Sequence, residues 1–310
     1  MVGAARPARI SCVICTVDRH EMIARSIAAV LGTDRPDIEV IVVDQSANDL
    51  TLRACEAFGG DPRFSYIHHD HRGLSVSYNR GIAEATSEII AFTDDDCVAH
   101  RDWTEAIVQV FAQHPDVDML YGQTLTPPGH DEETGIIPVL PIETPRIIGR
   151  GHGLAVIGMG ANFAVRRRLI ERIGGFDEAL GGGGPFKSSQ DFDFHYRAYR
   201  AGALIRLSPE PKVDHYGIRV GAQWKRTLEA YGIGDGAFYW KHVRCGDATA
   251  LRLLVQRMTK LAARELLNPI RHESSSLPYL MACTIGVRKS MHFKIDRVRR
   301  IYTLPEGAAR

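Results

Sequence analysis

The sequence predicts an α/β fold in which a mostly parallel central sheet carries helices on its faces, followed by a helical C-terminal extension. Three observations carry this expectation. Short β-rich runs alternate with helix-patterned segments from Ile10 to Gln113. The runs are continuous, as in VIVVD (40–44) and IIAFTD (89–94), which points to strands covered on both faces. Polar and charged residues collect where these runs stop, the place where open α/β sheets bind ligands.

Taken in order, Ile10 to Val17 reads as a buried strand, Glu21 to Leu31 as a helix, Ile38 to Asp44 as a strand and Leu50 to Phe58 as a helix. Arg63 to His68 reads as a strand, Ser75 to Ala85 as a helix, Glu88 to Thr93 as a strand and Trp103 to Gln113 as a helix. The strand ends then present Thr16, Asp18 and Arg19, next Asp44, next His68 to Arg72, and finally Asp94 to Asp96. From about Pro127 to Gly153 the chain is rich in Pro, Gly and His, which predicts a long loop or lid. Order is expected again over Val156 to Val165, a helix over Arg167 to Ile173, a glycine cluster at Gly181 to Gly184 and a helix over Gln190 to Ala201. Two strands, Ala203 to Leu207 and Lys212 to His215, complete the core. Helices follow over Trp224 to Lys241 and Leu251 to Leu267, the second with Leu251, Leu254, Met258, Leu261 and Leu266 near helical spacing. The expected division is a catalytic domain over 1–218, split into halves 1–125 and 126–218, and an extension over 219–310.

With 310 residues, 45% of them hydrophobic, the chain can bury a large core. Its 38 Lys and Arg nearly balance 37 Asp and Glu, so no global field recruits nucleic acid. From Arg252 onward basic residues outnumber acids, and Arg252, Arg257, Lys260 and Arg264 give one helix a basic face suited to an anionic membrane. The six cysteines are spread through apolar runs, and Cys12 and Cys15 have no answering pair, which predicts reduced thiols. MVGAARPARI has no signal-peptide core, and no run of 18 apolar residues exists. The expected location is cytoplasmic, with room for peripheral contact at the inner face of the membrane.

The chemistry centres on Asp94, Asp95 and Asp96. Three consecutive carboxylates at a strand end repel one another unless cations neutralise them. A hard divalent ion, magnesium or manganese, fits an oxygen-ligand cluster and would bridge a diphosphate. Asp191 opens a helix after Ser188 and Ser189, Asp193 lies about 200° further round it, and His215 ends the last core strand.

These elements together resemble glycosyltransferase family 2 with the GT-A fold, a Rossmann-like sheet. The likeness runs from about Ile10 to His215. It rests on Cys15, Thr16 and Arg19; Val42, Val43, Asp44 and Ser46; Arg72, Gly73, Leu74, Ser75, Asn79 and Gly81; the acidic triplet; Gly160, Ala161 and Asn162; Ile173 to Asp177; and Gln190, Asp191, Arg197 and Gly202. The resemblance implies an inverting transfer of sugar from a nucleoside-diphosphate sugar, with UDP expected, to an acceptor hydroxyl. Thr16 and Asp44 match positions bordering the base, Asp94 and Asp95 match positions near ribose and sugar, and Asp18, Arg19, Arg72 and Asn79 belong to the same donor site. Asp96, with Asp94 and His215, would hold manganese or magnesium. Asp191 matches the general base, and Asn162 and Gln190 lie where sugar contacts are expected. The acceptor would be a glycan, a lipid-linked intermediate or a small molecule. Val17 stands where an aromatic is usual, Asp18 where Asn is, Gln190 where Glu is, and Tyr78 where Arg is. The run Tyr231 to Phe238 resembles a helix-packing segment that follows the core in such enzymes. Two alternatives remain open at this level: a sugar nucleotidyltransferase, which would need a basic glycine-rich loop that Cys15 to His20 lacks, and a non-catalytic binding protein on a degenerate version of this fold.

Overall fold

The computed structural model describes residues 10–130, 135–155, 157–271 and 275–304. Val156, where order was expected to resume, lies outside them. The chain folds as two compact units. The first takes the chain up to Arg72, Val76–Gly175 and His195–Arg219; the second takes Gly73–Ser75, Phe176–Phe194 and the chain from Val220 onward.

The first unit is built on a nine-stranded sheet. β1 (Ile10–Thr16), β2 (Ile38–Asp44), β3 (Phe64–His68) and β4 (Ile89–Asp94) are parallel in the order β3-β2-β1-β4. Helices α1 (His20–Leu31), α2 (Leu50–Cys55, ending in a 3-10 turn over Glu56–Phe58), α3 (Leu74–Glu84) and α4 (Trp103–Gln113) connect and follow them. Their apolar positions recur at helical spacing. Ile23, Ile27 and Val30 of α1, and Trp103, Ile107, Val110 and Phe111 of α4, join Ile10, Ile14, Val40 and Val42 in one buried cluster. Gly81 has no side chain because α3 lies close against Val13 of β1.

Beyond β4 the sheet changes character. β5 (Cys97–Ala99), β6 (Val117–Leu125), β7 (Arg146–Ile148), β8 (Asn162–Arg166) and β9 (Leu204–His215) extend it. β8 runs antiparallel to both β4 and β6, β6 is parallel to β9, and β5 and β7 pair antiparallel with β9. The sheet is therefore half parallel and half mixed. Neither β6 nor β5 was anticipated, and the two expected strands around 203–215 are one. Pro209 and Pro211 fall in the stretch where the β6 pairing jumps from Leu207 to Lys212. A bulge there removes the need for proline N–H groups, so the strand continues through them. Short α5 (Arg167–Ile173) follows β8, as expected.

The second unit contains the helices α7 (Gly221–Arg244), α8 (Ala248–Arg271) and α9 (Leu277–Ser290) and a hairpin of β10 (Lys294–Asp296) and β11 (Ile301–Thr303). Helix α6 (Gln190–Arg200) begins in this unit and ends in the first. Earlier segments of the chain also belong to this unit. Ser75 donates to the Leu180 carbonyl at 2.8 Å, Leu74 N–H donates to Gly182 at 2.7 Å, and Phe186 is buried with Ile233, Ala237 and Tyr302. The glycine cluster is thus a hydrogen-bonded turn. The apolar series expected on α8 splits: Leu254 is buried while Leu266 is 82% exposed. No helix among the described residues is long and apolar enough to cross a membrane.

Candidate active site

Strand register brings the expected residues to one edge. Thr16 pairs with Asp44, Asp44 with His68, and Cys15 with Asp94. Two basic side chains answer the acidic triplet. Arg19 Nη1 donates to Asp95 Oδ1 and Asp96 Oδ2, both at 2.8 Å, and His215 Nε2 lies 3.3 Å from Asp96 Oδ1. Thr16 Oγ1 donates to Asp95 Oδ2 at 2.7 Å, and Ser26 Oγ donates to the carbonyls of Asp95 and Cys97. Burial, reinforced by Asp96, lifts the Asp94 carboxyl to about 7, against the pull of His215 and Arg19. Asp95 is raised by burial too. For Asp96 burial also works upward, but the hydrogen bond and charge of His215, with Arg19, outweigh it and hold the carboxyl below its ordinary value. His215 moves the other way: burial would lower it, and Asp96 and Asp94 raise it.

His215 Nδ1 is 2.8 Å from the Pro138 carbonyl, which belongs to the segment expected as a lid. That contact fixes Nδ1 as the donor and turns Nε2 toward Asp96. Gly217 keeps the space open, since a Cβ there would come within 2.5 Å of Asp96 Oδ2 and 2.7 Å of His215 Nε2. An open cavity of about 440 Å³ adjoins Asp96, lined also by Asp18, Arg19, Met22, Tyr216 and Ile218. One donor atom each from Asp94, Asp96, Cys97 and His215 lies within 4.8 Å of the others. Ligands about 2.0–2.3 Å from a common ion have nearly that span, so the residues fit a divalent cation. Cys97 and Gly217 were not anticipated. The sequence signal for Gly217 is its place two residues after His215; for Cys97 it is adjacency to the triplet.

The positions expected to border the base are tightly organised. Asp44 is fully buried; its Oδ1 accepts from Ser46 N–H (2.9 Å) and Oγ (2.5 Å), and its Oδ2 accepts from Tyr66 Oη at 2.7 Å. Asp18 has φ 54°, a left-handed conformation that Asn and Asp tolerate best, and its carboxylate meets Arg72 at 3.3 Å. Asn79 lies against the backbone of Gly175, where a Cβ would collide with it. Asn162, expected near the sugar, is held by the protein itself. It is fully buried, its Oδ1 accepts from Trp103 Nε1 at 2.8 Å, and its Nδ2 donates to the carbonyls of Gln123 and Pro211. With the amide satisfied by the protein, Asn162 ties β8 to β6, β9 and α4.

The profile of glycosyl transferase family 2 matches residues 11–174. The chain belongs to that family. It is 26% identical over 209 residues to the glucosyl-dolichyl phosphate glucuronosyltransferase of Haloferax volcanii, a match that covers 64% of this chain and 63% of that protein. In fold it resembles the mannosyltransferase of Pyrobaculum calidifontis in complex with GDP-Man and Mn2+, with a TM-score of 0.63, 18% identity, and coverage of 91% and 88% of the two chains. It also resembles S. aureus TarS 1–349 in complex with UDP-GlcNAc, at a TM-score of 0.54, 16% identity, and 73% and 66% coverage. These likenesses establish a GT-A fold for this family 2 chain.

In the second unit of this family 2 chain, Gln190 is buried and Asp191 is half-buried at the start of α6, where Asp191 Oδ1 accepts from Phe192 N–H at 2.9 Å. Lys187 and Ser189 just before it have φ near 65° and 68°, an entry held in place by neighbouring contacts such as Ser189 Oγ donating to Asp235 at 2.7 Å. Asp193, two residues further along α6, is fully buried. It lies 2.7 Å from Lys241 and 2.9 Å from His242, and Lys241 also meets Asp177 at 2.5 Å. Asp193 thus anchors α6, while Asp191 is only half-buried.

Proposed function

We propose that this chain is an inverting, metal-dependent transferase that moves a sugar from a nucleoside-diphosphate sugar, UDP-linked, to an acceptor hydroxyl in glycan biosynthesis. The observation that carries the reading is the Asp94–Asp96 cluster, with Arg19 and His215, at the strand edge that also presents Thr16 and Asp44. A nucleotidyltransferase reading lacks its phosphate loop, and a non-catalytic reading does not account for so costly a carboxylate cluster. In this proposal Thr16 and Asp44 border the base, while Asp18, Arg19, Arg72, Asn79, Asp94 and Asp95 bind the rest of the donor. Asp96, Asp94 and His215 would hold a divalent ion, which would supply charge neutralisation for the diphosphate. Asp191 takes the proton from the acceptor hydroxyl as its oxygen attacks the anomeric carbon opposite the leaving group. Gln190 supports the sugar.

The test is calorimetric titration of UDP, GDP and TDP with and without manganese. Manganese-dependent binding of one nucleotide, lost in Asp96→Ala, supports the reading and names the base. No binding under any condition overturns it.

The acceptor proposed is lipid-linked and the chain a peripheral visitor to an anionic membrane. Nine of the sixteen large apolar side chains exposed among the described residues lie beyond residue 245, including Met281 at 66% and Val298 at 94%. On α9, Leu277, Met281 and Ile285 recur every four residues and lead into exposed Arg288 and Lys289. Arg252, Lys260 and Arg264 of α8 are exposed as well, whereas Arg257 turns inward to Asp235 at 2.8 Å. The Haloferax relative is named for a dolichyl phosphate substrate, which accords with this reading.

A further inference from the structure

The four-donor cluster mixes ligand types in a way a magnesium or manganese site does not require. Asp94 and Asp96 are hard oxygen donors, but His215 brings an imidazole and Cys97 a thiol. Cys97 and His215 are direct cross-strand partners in the antiparallel pairing of β5 with β9. Directly opposed residues carry their Cβ atoms about 4.5–5.5 Å apart on one face. Cys97 Sγ is 4.0 Å from Asp96 Oδ1, and Cys97 is 1% exposed. His215 is already oriented as a ligand, since Pro138 fixes Nδ1 and leaves Nε2 facing Asp96. Thiolate and imidazole with a carboxylate are the ligand set that zinc-like ions prefer, and thiolates have little affinity for magnesium or manganese.

We propose that Cys97, His215 and Asp96 form a binding site for a borderline-soft divalent cation, zinc or cadmium, that shares Asp96 with the hard-ion site. The inference rests on the metal reading above but concerns a different ion and a residue that reading does not use. Its consequence is selectivity. A zinc-like ion engages the sulfur and competes for Asp96, so zinc and cadmium should inhibit where manganese activates.

The experiment is a cadmium titration of the nucleotide-free, full-length protein, followed by the ultraviolet thiolate-to-cadmium charge-transfer band. The wild type should develop the band at one equivalent, Cys97→Ser should lack it, and Cys15→Ser, altered on β1 where it pairs with Asp94, should keep it. Losing a direct ligand should cost at least the roughly 10–100-fold in affinity that losing an outer-shell partner costs, so the cadmium-to-manganese affinity ratio should fall by that much in Cys97→Ser. If Cys97→Ser does not fold, the cadmium NMR shift of the wild type reports the sulfur count directly, and one sulfur is expected. A band that survives in Cys97→Ser, no band in the wild type, or a shift that reports no sulfur overturns the proposal. Manganese-dependent UDP binding without the cadmium band defeats only this inference. The cadmium band without any nucleotide binding defeats only the transferase reading.

Discussion

Asp191 and Asp193 stand two residues apart on one helix, yet their surroundings differ sharply. Asp193 is buried between Lys241 and His242, while Asp191 keeps a half-exposed carboxylate. Asp191→Asn should therefore lower turnover by about 10²–10⁴-fold, the usual contribution of a positioned base, and leave UDP affinity nearly unchanged in calorimetry. Loss of donor binding together with turnover would move Asp191 out of the base role. Removing Lys241 is a different kind of change. Lys241→Met leaves Asp177 and Asp193 without their buried cation, and breaking such a pair costs about 3–5 kcal/mol. Urea unfolding should show that loss. Part of this was legible beforehand: helix periodicity alone turns Asp193 away from Asp191. What covers Asp193 was not legible, because Lys241 and His242 come from a helix some fifty residues further along the chain.

At the scale of elements, glycines decide how α7 and α9 meet. A Cβ on Gly236 would run into the Cys283 carbonyl, one on Gly286 into the Ile233 carbonyl, and one on Gly232 would come within 2.7 Å of the Ala282 Cβ. The two backbones thus lie in direct contact along a seam of small residues. Gly236→Ala has to push backbone from backbone, and overpacking of that kind costs about 1–3 kcal/mol, which should appear as a lowered melting temperature with no change in UDP affinity. The sequence run Tyr231 to Phe238 marks a packing segment, but its partner α9 went unrecognised. β6 was missed for a related reason. VDMLYGQTL carries a glycine and polar residues inside it, and it becomes a strand because β8 and β9 flank it on both edges.

For the whole molecule, two buried histidines set a pH dependence. Burial outweighs the Ala155 carbonyl in lowering His195 from 6.5 to about 4, and outweighs the Asp193 hydrogen bond in lowering His242 by the same amount. Between pH 6.5 and 4 the unfolded chain binds protons on these rings and the folded chain does not. Stability therefore falls as pH drops through that window, by up to about 1.4 kcal/mol per pH unit for each ring, and these rings add no further loss below it. Urea midpoints from pH 7 to pH 4 check this, and His242→Gln should flatten the slope. The basic, apolar surface of the second unit gives a second prediction at this scale. The protein should sediment with anionic vesicles and not with zwitterionic ones, less so as salt rises, and Met281→Glu with Ile285→Glu should abolish it. Equal binding to both vesicle types would refute the electrostatic part.

The sequence alone determined the α/β class, the bounds of the first four strands to within a residue, and the acidic triplet at a strand end. Those features are written in local periodicity and in polar residues placed where buried runs stop. Only the tertiary structure decided that half of the sheet is mixed, that Arg19 pairs with both Asp95 and Asp96, that Asn162 is a buried tie, and that Cys97 faces His215. Each of these depends on pairings between residues distant in sequence, such as Asp96 with His215 or Asn162 with Trp103, and no local pattern encodes which strand lies beside which.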